Sequence, residues 1–97
     1  MISGTKRRVK RTARFKKDYS LSKKQGKDMS KAIDIITRLA NDEPLDEKYQ
    51  DHQLQGKLKM FRECHITPDW LLVYRKTDNG ELLLTLSRIA SHSDLDF

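Results

Sequence analysis

The chain has little of what a disulfide-bonded, membrane-spanning or zinc-binding protein needs. Cys64 is the only cysteine, so no disulfide can form within the chain, and we expect a reducing compartment, the cytoplasm. No apolar run approaches the roughly 20 residues that cross a bilayer. Residues 1–8 have charges with no apolar segment behind them, so neither a secretory signal nor a membrane partner is expected. One cysteine and three separated histidines match no zinc spacing, which argues against a structural metal site.

Positive charge is plentiful and concentrated near the N-terminus. Residues 1–31 hold 12 Lys and Arg against two acidic residues, a net of +10, whereas residues 32–97 have a net of −4. This asymmetry predicts a polyanionic partner, nucleic acid or ribosome, contacted mainly through the N-terminal third. An acidic protein partner would fit the same surface, and a solvated Lys-rich helical surface is the simplest alternative.

Hydrophobic spacing in the first half predicts a short strand and two helices, within one domain that spans residues 1–97. Residues 6–11 are the candidate strand. Thr12 is a candidate N-cap for a helix that runs to about residue 25 and ends at Gly26. Asp28 is placed to cap a second helix over residues 29–41. The inner face of the first helix holds Phe15 and Tyr19, and that of the second holds Met29, Ala32, Ile33, Ile36, Leu39 and Ala40.

The second half has the signals of strands. Residues 45–55 are polar and predict a loop, and residues 57–66 alternate with a period of two. Residues 70–74 are an apolar run typical of a central strand buried on both faces, and 78–80 predict a hairpin turn before a last strand at 82–86. Residues 87–97 are predicted to be a polar tail. The order β-α-α-β-β-β predicts an α+β fold, a small antiparallel sheet with both helices packed on one face.

Three histidines in polar clusters are the candidate proton-transfer groups: His52, His65 and His92. Histidine titrates near neutral pH and suits general acid–base catalysis, and the cations suit a phosphate backbone, so together they favour a ribonuclease. A three-residue loop over 66–68 would set His65 opposite Asp69 on one face, where the carboxylate would orient the imidazole. A two-residue loop would pair His65 with Trp70 and move Asp69 to the other face. Alternatively, Asp69 only caps the turn.

Arg88 and His92, four residues apart, form a second candidate pair. An arginine there would neutralise charge developing on a phosphate, and a nearby histidine would protonate a leaving oxygen. The alternative is a surface salt bridge beside a mobile tail. Met60 and Trp70 are expected in the core, and Cys64 is expected to be a buried, inert thiol.

Four segments of the chain are informative when they are considered together. They are Phe15-x-Lys17-Asp18; Pro44-Leu45 with Tyr49-Gln50-Asp51-His52-x-Leu54-x-Gly56; Phe61-Arg62-Glu63-Cys64-His65-Ile66-x-Pro68-Asp69-Trp70-Leu71-Leu72-Val73-Tyr74; and Arg88-x-x-Ser91-His92-Ser93-x-Leu95. Together they resemble the RelE/ParE superfamily of bacterial toxins, and most closely its YafQ-like branch. The resemblance covers almost all of residues 12–97. Its most specific part is the pair Asp-His-x-Leu-x-Gly and His-x-x-Pro-Asp at this separation.

This resemblance implies a RelE-like fold and a type II toxin that cleaves messenger RNA in the ribosomal A site without metal or cofactor. Its implied partners are the ribosome, the message and a cognate antitoxin of the DinJ or RelB kind, with operator DNA bound only through the antitoxin complex. The implied reaction is attack of a ribose 2′-hydroxyl on the adjacent phosphate. The family's catalytic positions fall on His52, His65, Asp69, Arg88 and His92.

The resemblance also suggests roles for individual residues. His92 would be the general acid, Arg88 would stabilise the phosphate, and the base would come from Asp69 or the other two histidines. Family tails usually read Gly-Ser-His-Ser-x-Leu-Phe, whereas here Ala90 replaces the glycine and Phe97 follows the histidine by five residues. Phe97 is expected to stack on a base. The cations expected to grip RNA are Lys6, Arg7, Arg8, Lys10, Arg11, Lys16 and Lys17.

Two other functions share some of these features. A ParE-like toxin acting on a DNA topoisomerase would use the same scaffold, although branches with that target generally lack the full histidine set. A non-catalytic basic module that binds nucleic acid or an acidic partner, including a decayed toxin, would use the same charge asymmetry. Loss of RNA cleavage in a His92→Ala variant, with partner binding and stability retained, would distinguish an enzyme from such a module.

Overall fold

A computed structural model describes residues 4–95 of the chain. The elements are β1 (Arg8–Arg11), α1 (Ala13–Lys24), α2 (Met29–Ala40), β2 (His52–Gln53), β3 (Arg62–Thr67), β4 (Trp70–Thr77), β5 (Leu83–Ala90) and α3 (His92–Leu95). Short 3₁₀ turns lie at Glu47–Tyr49 and Gly56–Leu58. The predicted order of a strand, two helices and three strands is confirmed, with the short β2 and α3 as additions. Within residues 4–95 no helix is long and apolar enough to cross a bilayer.

The five strands form one sheet in the order β1-β5-β4-β3-β2. Neighbouring strands from β2 to β5 are antiparallel, but β1 runs parallel to β5, with Val9 opposite Leu84. The expected small antiparallel sheet is therefore confirmed from β2 to β5, and the parallel pairing of β1 with β5 departs from it at one edge. The two helices carry the chain from β1 to the far edge of the sheet, and the β2–β5 meander then returns to β1 in the parallel sense.

Both helix starts are capped as the sequence predicts. The Thr12 side chain accepts a hydrogen bond from the Phe15 N–H at 3.0 Å, and that of Asp28 accepts one from the Ser30 N–H at 3.1 Å. Gly26, just after α1, has a φ of +79°, the left-handed conformation in which glycine commonly ends a helix.

The main core lies between the helices and one face of the sheet. Phe15 from α1 and a stripe on α2 pack against the helix-facing strand residues, which include Trp70, Leu72 and Tyr74. The α2 stripe holds Ile35, whereas Ile33, predicted on the inner face, is 38% exposed. A stripe that follows the spacing i, i+3, i+4, i+7 from Ala32 leaves position 33 at its side. The buried α2 residues are Ala32, Ile35, Ile36, Leu39 and Ala40.

The opposite face of the sheet carries a second, smaller apolar cluster. Leu71 and Val73 of β4 pack there with Ala90 and Leu95. All of residues 70–74 are thus buried, which confirms the central strand. The prediction of a polar tail from residue 87 is wrong for residues 87–95. In this stretch β5 continues to Ala90 and α3 buries Leu95. Met60, expected in the core, is 55% exposed because it lies between the second 3₁₀ turn and β3, before the strand alternation begins.

Candidate active site

Glu63 lies between two of the three candidate histidines. It pairs with His52 across β2 and β3, and its Oε1 lies 3.6 Å from His52 Nε2 and 3.9 Å from His65 Nε2. The Glu63 and His65 side chains are only 10% and 15% exposed, whereas that of His52 is 50% exposed. His52 Nδ1 lies 2.6 Å from the Gln50 carbonyl oxygen. A carbonyl only accepts, so this Nδ1 carries a proton and the ring orientation is fixed.

His65 also contacts the third histidine. The His65 and His92 rings meet edge-on, with centroids 5.4 Å apart and an interplanar angle of 62°. The His92 backbone N–H donates to Asp69 Oδ1 at 3.4 Å, which links the β3–β4 turn to the start of α3. The fold thus brings His52, His65, Asp69 and His92 into one chain of contacts.

The β3–β4 turn matches neither of the registers considered from the sequence. His65 pairs with Leu71 and Thr67 with Trp70, with an irregularity between residues 65 and 67. Asp69 therefore lies in the turn itself and opposite neither His65 nor any other strand residue. The extra residue at this bulge cannot be read from the sequence, because loop length alone does not reveal it.

Arg88 is held by a carboxylate from α1. Its Nε donates to Asp18 Oδ2 at 2.6 Å and its Nη2 to Asp18 Oδ1 at 3.3 Å, and both side chains are largely buried, at 17% and 8% exposed. Asp18 Oδ2 also accepts the Ile89 N–H at 3.1 Å. Arg88 is therefore a fixed, partly buried group, and its ion pair with Asp18 is not the surface salt bridge beside a mobile tail considered from the sequence. Its Nη1 donates to no residue between 4 and 95, which leaves that side of the guanidinium for another acceptor.

A second set of polar contacts surrounds Asp51, the residue before His52. Asp51 Oδ1 accepts from the Tyr74 hydroxyl at 2.6 Å and from Arg62 Nε at 3.3 Å. Burial, together with this hydrogen bond to the Asp51 carboxylate, raises the pKa of Tyr74 well above its usual range, so the phenol stays protonated and donates. Because Asp51 precedes His52, the pair of hydrogen bonds fixes the backbone that presents the histidine.

Cys64 lies in the main core and not among the polar contacts described above. Its side chain is fully buried, and burial raises the pKa of the thiol to about 12, so the thiolate is scarcely populated at neutral pH. The expectation of a buried thiol is confirmed, and its raised pKa supports the expected inertness. Within residues 4–95 no three or more His, Cys, Asp and Glu side chains are arranged to hold a metal ion.

The structure separates Arg7 from the other basic residues near the N-terminus. Arg7 is 7% exposed, and its guanidinium donates to Asp42 and Asp78, both at 2.7 Å. Its expected contact with RNA is contradicted, because its charge is already neutralised inside the protein. The exposed members of the predicted RNA-contacting set are Lys6, Arg8, Lys10, Arg11, Lys16 and Lys17. Phe97 lies outside the described residues.

A comparison with protein-family models identifies the chain. Residues 7–96 match the model described as "Bacterial toxin of type II toxin-antitoxin system, YafQ". The chain belongs to the YafQ family. This membership covers the helices, the strands and every candidate catalytic position described above, and it confirms the resemblance drawn from the four sequence segments.

Individual relatives of this YafQ-family chain are similar over nearly their full lengths. The mRNA interferase toxin YafQ of Escherichia coli strain K12 is 39% identical over 90 residues, which are 92% of this chain and 95% of the relative. A chain of the crystal structure of the E. coli DinJ–YafQ toxin–antitoxin complex has a TM-score of 0.85 at 38% identity, and the match covers 95% of this chain and 99% of that one. A metal-bound toxin from Helicobacter pylori has a TM-score of 0.83 at 42% identity, covering 91% and 97%.

Two carboxylates of this site have no predicted role in the sequence. Asp18 and Glu63 both lie inside segments that resemble the toxin family, but neither is among the catalytic positions taken from it. Asp18 meets its arginine 70 residues away, so no local pattern reveals the pair. Glu63 is easier to find from the sequence. It lies two positions before His65 on a predicted strand, and residues two apart on a strand share a face.

Proposed function

We propose that this chain is an endoribonuclease, an mRNA interferase that cuts messages in the ribosomal A site without a metal ion. Membership of the YafQ family carries the assignment to type II toxins and to RNA cleavage. The ribosomal context and the metal-free mechanism are our proposal. The single observation that supports the mechanism best is the contact of His65 with His92, 5.4 Å between ring centroids.

The proposed reaction is an internal transesterification. The 2′-oxygen of one ribose forms a bond to the adjacent phosphorus as the bond from phosphorus to the 5′-oxygen breaks. The 2′-hydroxyl proton passes to a base, and a general acid protonates the departing 5′-oxygen. The products are a 2′,3′-cyclic phosphate and a free 5′-hydroxyl. Two histidines and an arginine supply both proton transfers and the charge stabilisation.

The geometry favours a division of labour among the side chains. His92 is exposed at the start of α3 and is free to approach the leaving oxygen, so we assign it the role of general acid. His65 is mostly buried and faces Glu63, which suits a group that accepts the 2′-hydroxyl proton and then holds it beside a carboxylate. His52 and Asp69 orient this pair. Arg88 offers its remaining N–H groups to the phosphate, whose charge rises in the transition state.

The proposed partners follow from the family and from charge. A cognate antitoxin binds and silences the toxin, and the toxin–antitoxin complex of the E. coli relative YafQ with DinJ supports this proposal. Operator DNA is contacted only through that complex. The exposed N-terminal cations are proposed to contact ribosomal RNA, and the toxin would then act in the cytoplasm, where its target lies. Family membership favours this function over the two alternatives, a toxin that acts on a topoisomerase and a non-catalytic binding module.

The test is cleavage of a defined message bound to ribosomes, beside the same RNA free in solution, with and without chelator. We expect cutting only on the ribosome, at the same rate with chelator, and fragments that end in a 2′,3′-cyclic phosphate and a 5′-hydroxyl. The chelator comparison matters because a related H. pylori toxin is metal-bound. Loss of cutting with chelator, or fragments with a 5′-phosphate, would contradict the mechanism.

A further inference from the structure

A cavity of about 520 Å³ lies beside His65, toward the outer edge of the sheet. It lies where β2 no longer covers β3, between α2 and the first 3₁₀ turn. We call it the side cavity, and its volume falls within the range of small-ligand sites. The lining residues that matter here are Lys31, Lys48, Tyr49, His65, Ile66 and Thr67.

The lining of the side cavity combines positive charge with an aromatic ring. Lys48 Nζ lies 5.2 Å from the centroid of the Tyr49 ring, a cation–π contact. Tyr49 is half-buried and packs against the main core, so the ring is held in place. Lys31 adds a second cation. The acidic residue in the lining, Asp34, is engaged by Arg38 at 3.3 Å.

His65 connects the side cavity to the catalytic group. The residue lies in the lining of the cavity, and its side chain contacts His92 and Glu63. An RNA strand with its cleaved phosphate between His65 and His92 would have a neighbouring nucleotide within reach of a cavity that His65 lines. Aromatic rings stack with any base, and lysines bind phosphates, so the lining suits this occupant.

We propose that the side cavity binds a nucleotide of the RNA substrate next to the one that is cut. The base stacks on Tyr49 and displaces Lys48 from the ring, and the released ammonium group contacts a phosphate of the same nucleotide, with Lys31 as the second cation. This proposal rests on the proposed function, because it gives the same RNA a second contact. The side cavity then contributes to the choice of where the message is cut.

The first test is titration of the full chain with adenosine 3′-monophosphate, followed by backbone amide NMR. Saturable shifts are expected at Lys31, Lys48, Tyr49 and His65. Inorganic phosphate, the second probe, is expected to bind at least about 10-fold more weakly because it lacks the stacking base. Shifts confined to the region of Arg88 and His92, or equal affinity for inorganic phosphate, would overturn the proposal.

Two variants and their matched controls sharpen this test. Tyr49→Leu is expected to weaken nucleotide binding about 10-fold, whereas Tyr19→Leu, the same change at another half-buried tyrosine outside the cavity, leaves it unchanged. Lys48→Gln, at an exposed site that does not endanger folding, is expected to weaken binding while Lys24→Gln does not. A loss of antitoxin binding in Tyr49→Leu with unchanged nucleotide affinity would assign the cavity to a peptide and overturn the proposal.

Ribosome-bound cleavage separates failure of the side cavity from failure of the proposed function. Lys48→Gln is expected to raise KM about 10-fold or shift the preferred cut site, with kcat little changed. Wild-type cleavage with neither effect in Lys48→Gln would overturn the side-cavity proposal and leave the function intact. Absence of cleavage by the wild type would overturn the function itself and the substrate subsite with it.

Discussion

Arg88 depends on a single carboxylate for its position. Asp18 accepts hydrogen bonds from two nitrogens of its guanidinium and from the Ile89 backbone, so one residue fixes both the side chain and the strand that carries it. A fixed arginine contributes more to a transition state than a mobile one, because no ordering is needed during the reaction. In the proposed mechanism Asp18 is therefore a positioning residue, which would act on the phosphate through Arg88.

Replacement of Asp18 tests this role. Asp18→Asn removes the charge that faces a largely buried Arg88, so we expect unfolding free energy to fall by about 3 kcal/mol. We also expect kcat to fall about 10-fold or more, with a smaller change in KM, because the arginine acts mainly in the transition state. Urea unfolding and cleavage of ribosome-bound RNA measure the two effects.

The control for that variant is Glu81→Gln, the same type of change in an exposed pair with Arg8, 3.6 Å apart. We expect it to alter stability by less than about 1 kcal/mol and to leave kcat unchanged. If Asp18→Asn lowered stability but kept wild-type kcat in the folded fraction, Asp18 would be structural only.

At the scale of elements, an ion-pair cluster joins three parts of the fold. Asp42, which follows α2, accepts hydrogen bonds from Arg7, before β1, and from Lys76 on β4, both at 2.7 Å. Arg7 also reaches Asp78 in the β4–β5 hairpin. These hydrogen bonds, with Arg7 contributing most, hold the pKa of Asp42 well below its usual range.

The cluster makes stability depend on pH. A carboxyl whose pKa is lower in the folded state stabilises the protein above its unfolded pKa, about 4, and loses this contribution as pH falls toward the folded value. We expect Asp42→Asn to cost about 1–2 kcal/mol at pH 7, and the difference from wild type to shrink below about pH 4. Asparagine suits the substitution because residue 42 has a φ of +55°, which it tolerates. Urea unfolding between pH 3 and 7 measures this, and a difference independent of pH would contradict it.

Elements with local signals were predictable from the sequence. The caps at Thr12 and Asp28 and the apolar run of β4 depend on residues only a few positions apart, so the sequence displays them directly. The parallel edge pairing was not, because Val9 is the only apolar residue in β1 and its partner strand lies more than 70 residues away. The end of β5 and α3 were not predictable either, because the polar segment of α3 has a single buried residue, Leu95.

The sequence indicated which residues form the candidate site better than it indicated the contacts between them. Residue type alone indicated His52, His65 and His92 as proton-transfer groups. Their convergence, and the carboxylates that hold them, depend on strand pairings and a bulge that the sequence does not reveal. Arg7 shows the converse: it looks like its basic neighbours in the sequence, and only the fold surrounds it with acids.

At the scale of the whole molecule, the uneven charge predicts how the toxin meets RNA. Each exposed cation that contacts a phosphate releases counterions, so binding weakens with salt in proportion to the number of contacts. Replacement of Lys10, Arg11 and Lys17 by glutamine is expected to reduce the slope of log affinity against log salt by about 3, one for each contact. Arg7→Gln is expected to lower stability and leave the slope unchanged. Ribosome binding over a salt series measures both, and an unchanged slope in the triple variant would refute the assignment.

The central claim is that one histidine-rich face cuts RNA, and its most direct test is cleavage of a ribosome-bound message by wild type, His92→Ala and Ser93→Ala. His92 is exposed and its neighbour Ser93 lies on the same short helix, so both variants should keep the wild-type melting temperature. Loss of a general acid should slow cleavage by His92→Ala at least about 100-fold, with Ser93→Ala near wild type. Full cleavage by His92→Ala, or loss of activity only through unfolding, would contradict the account.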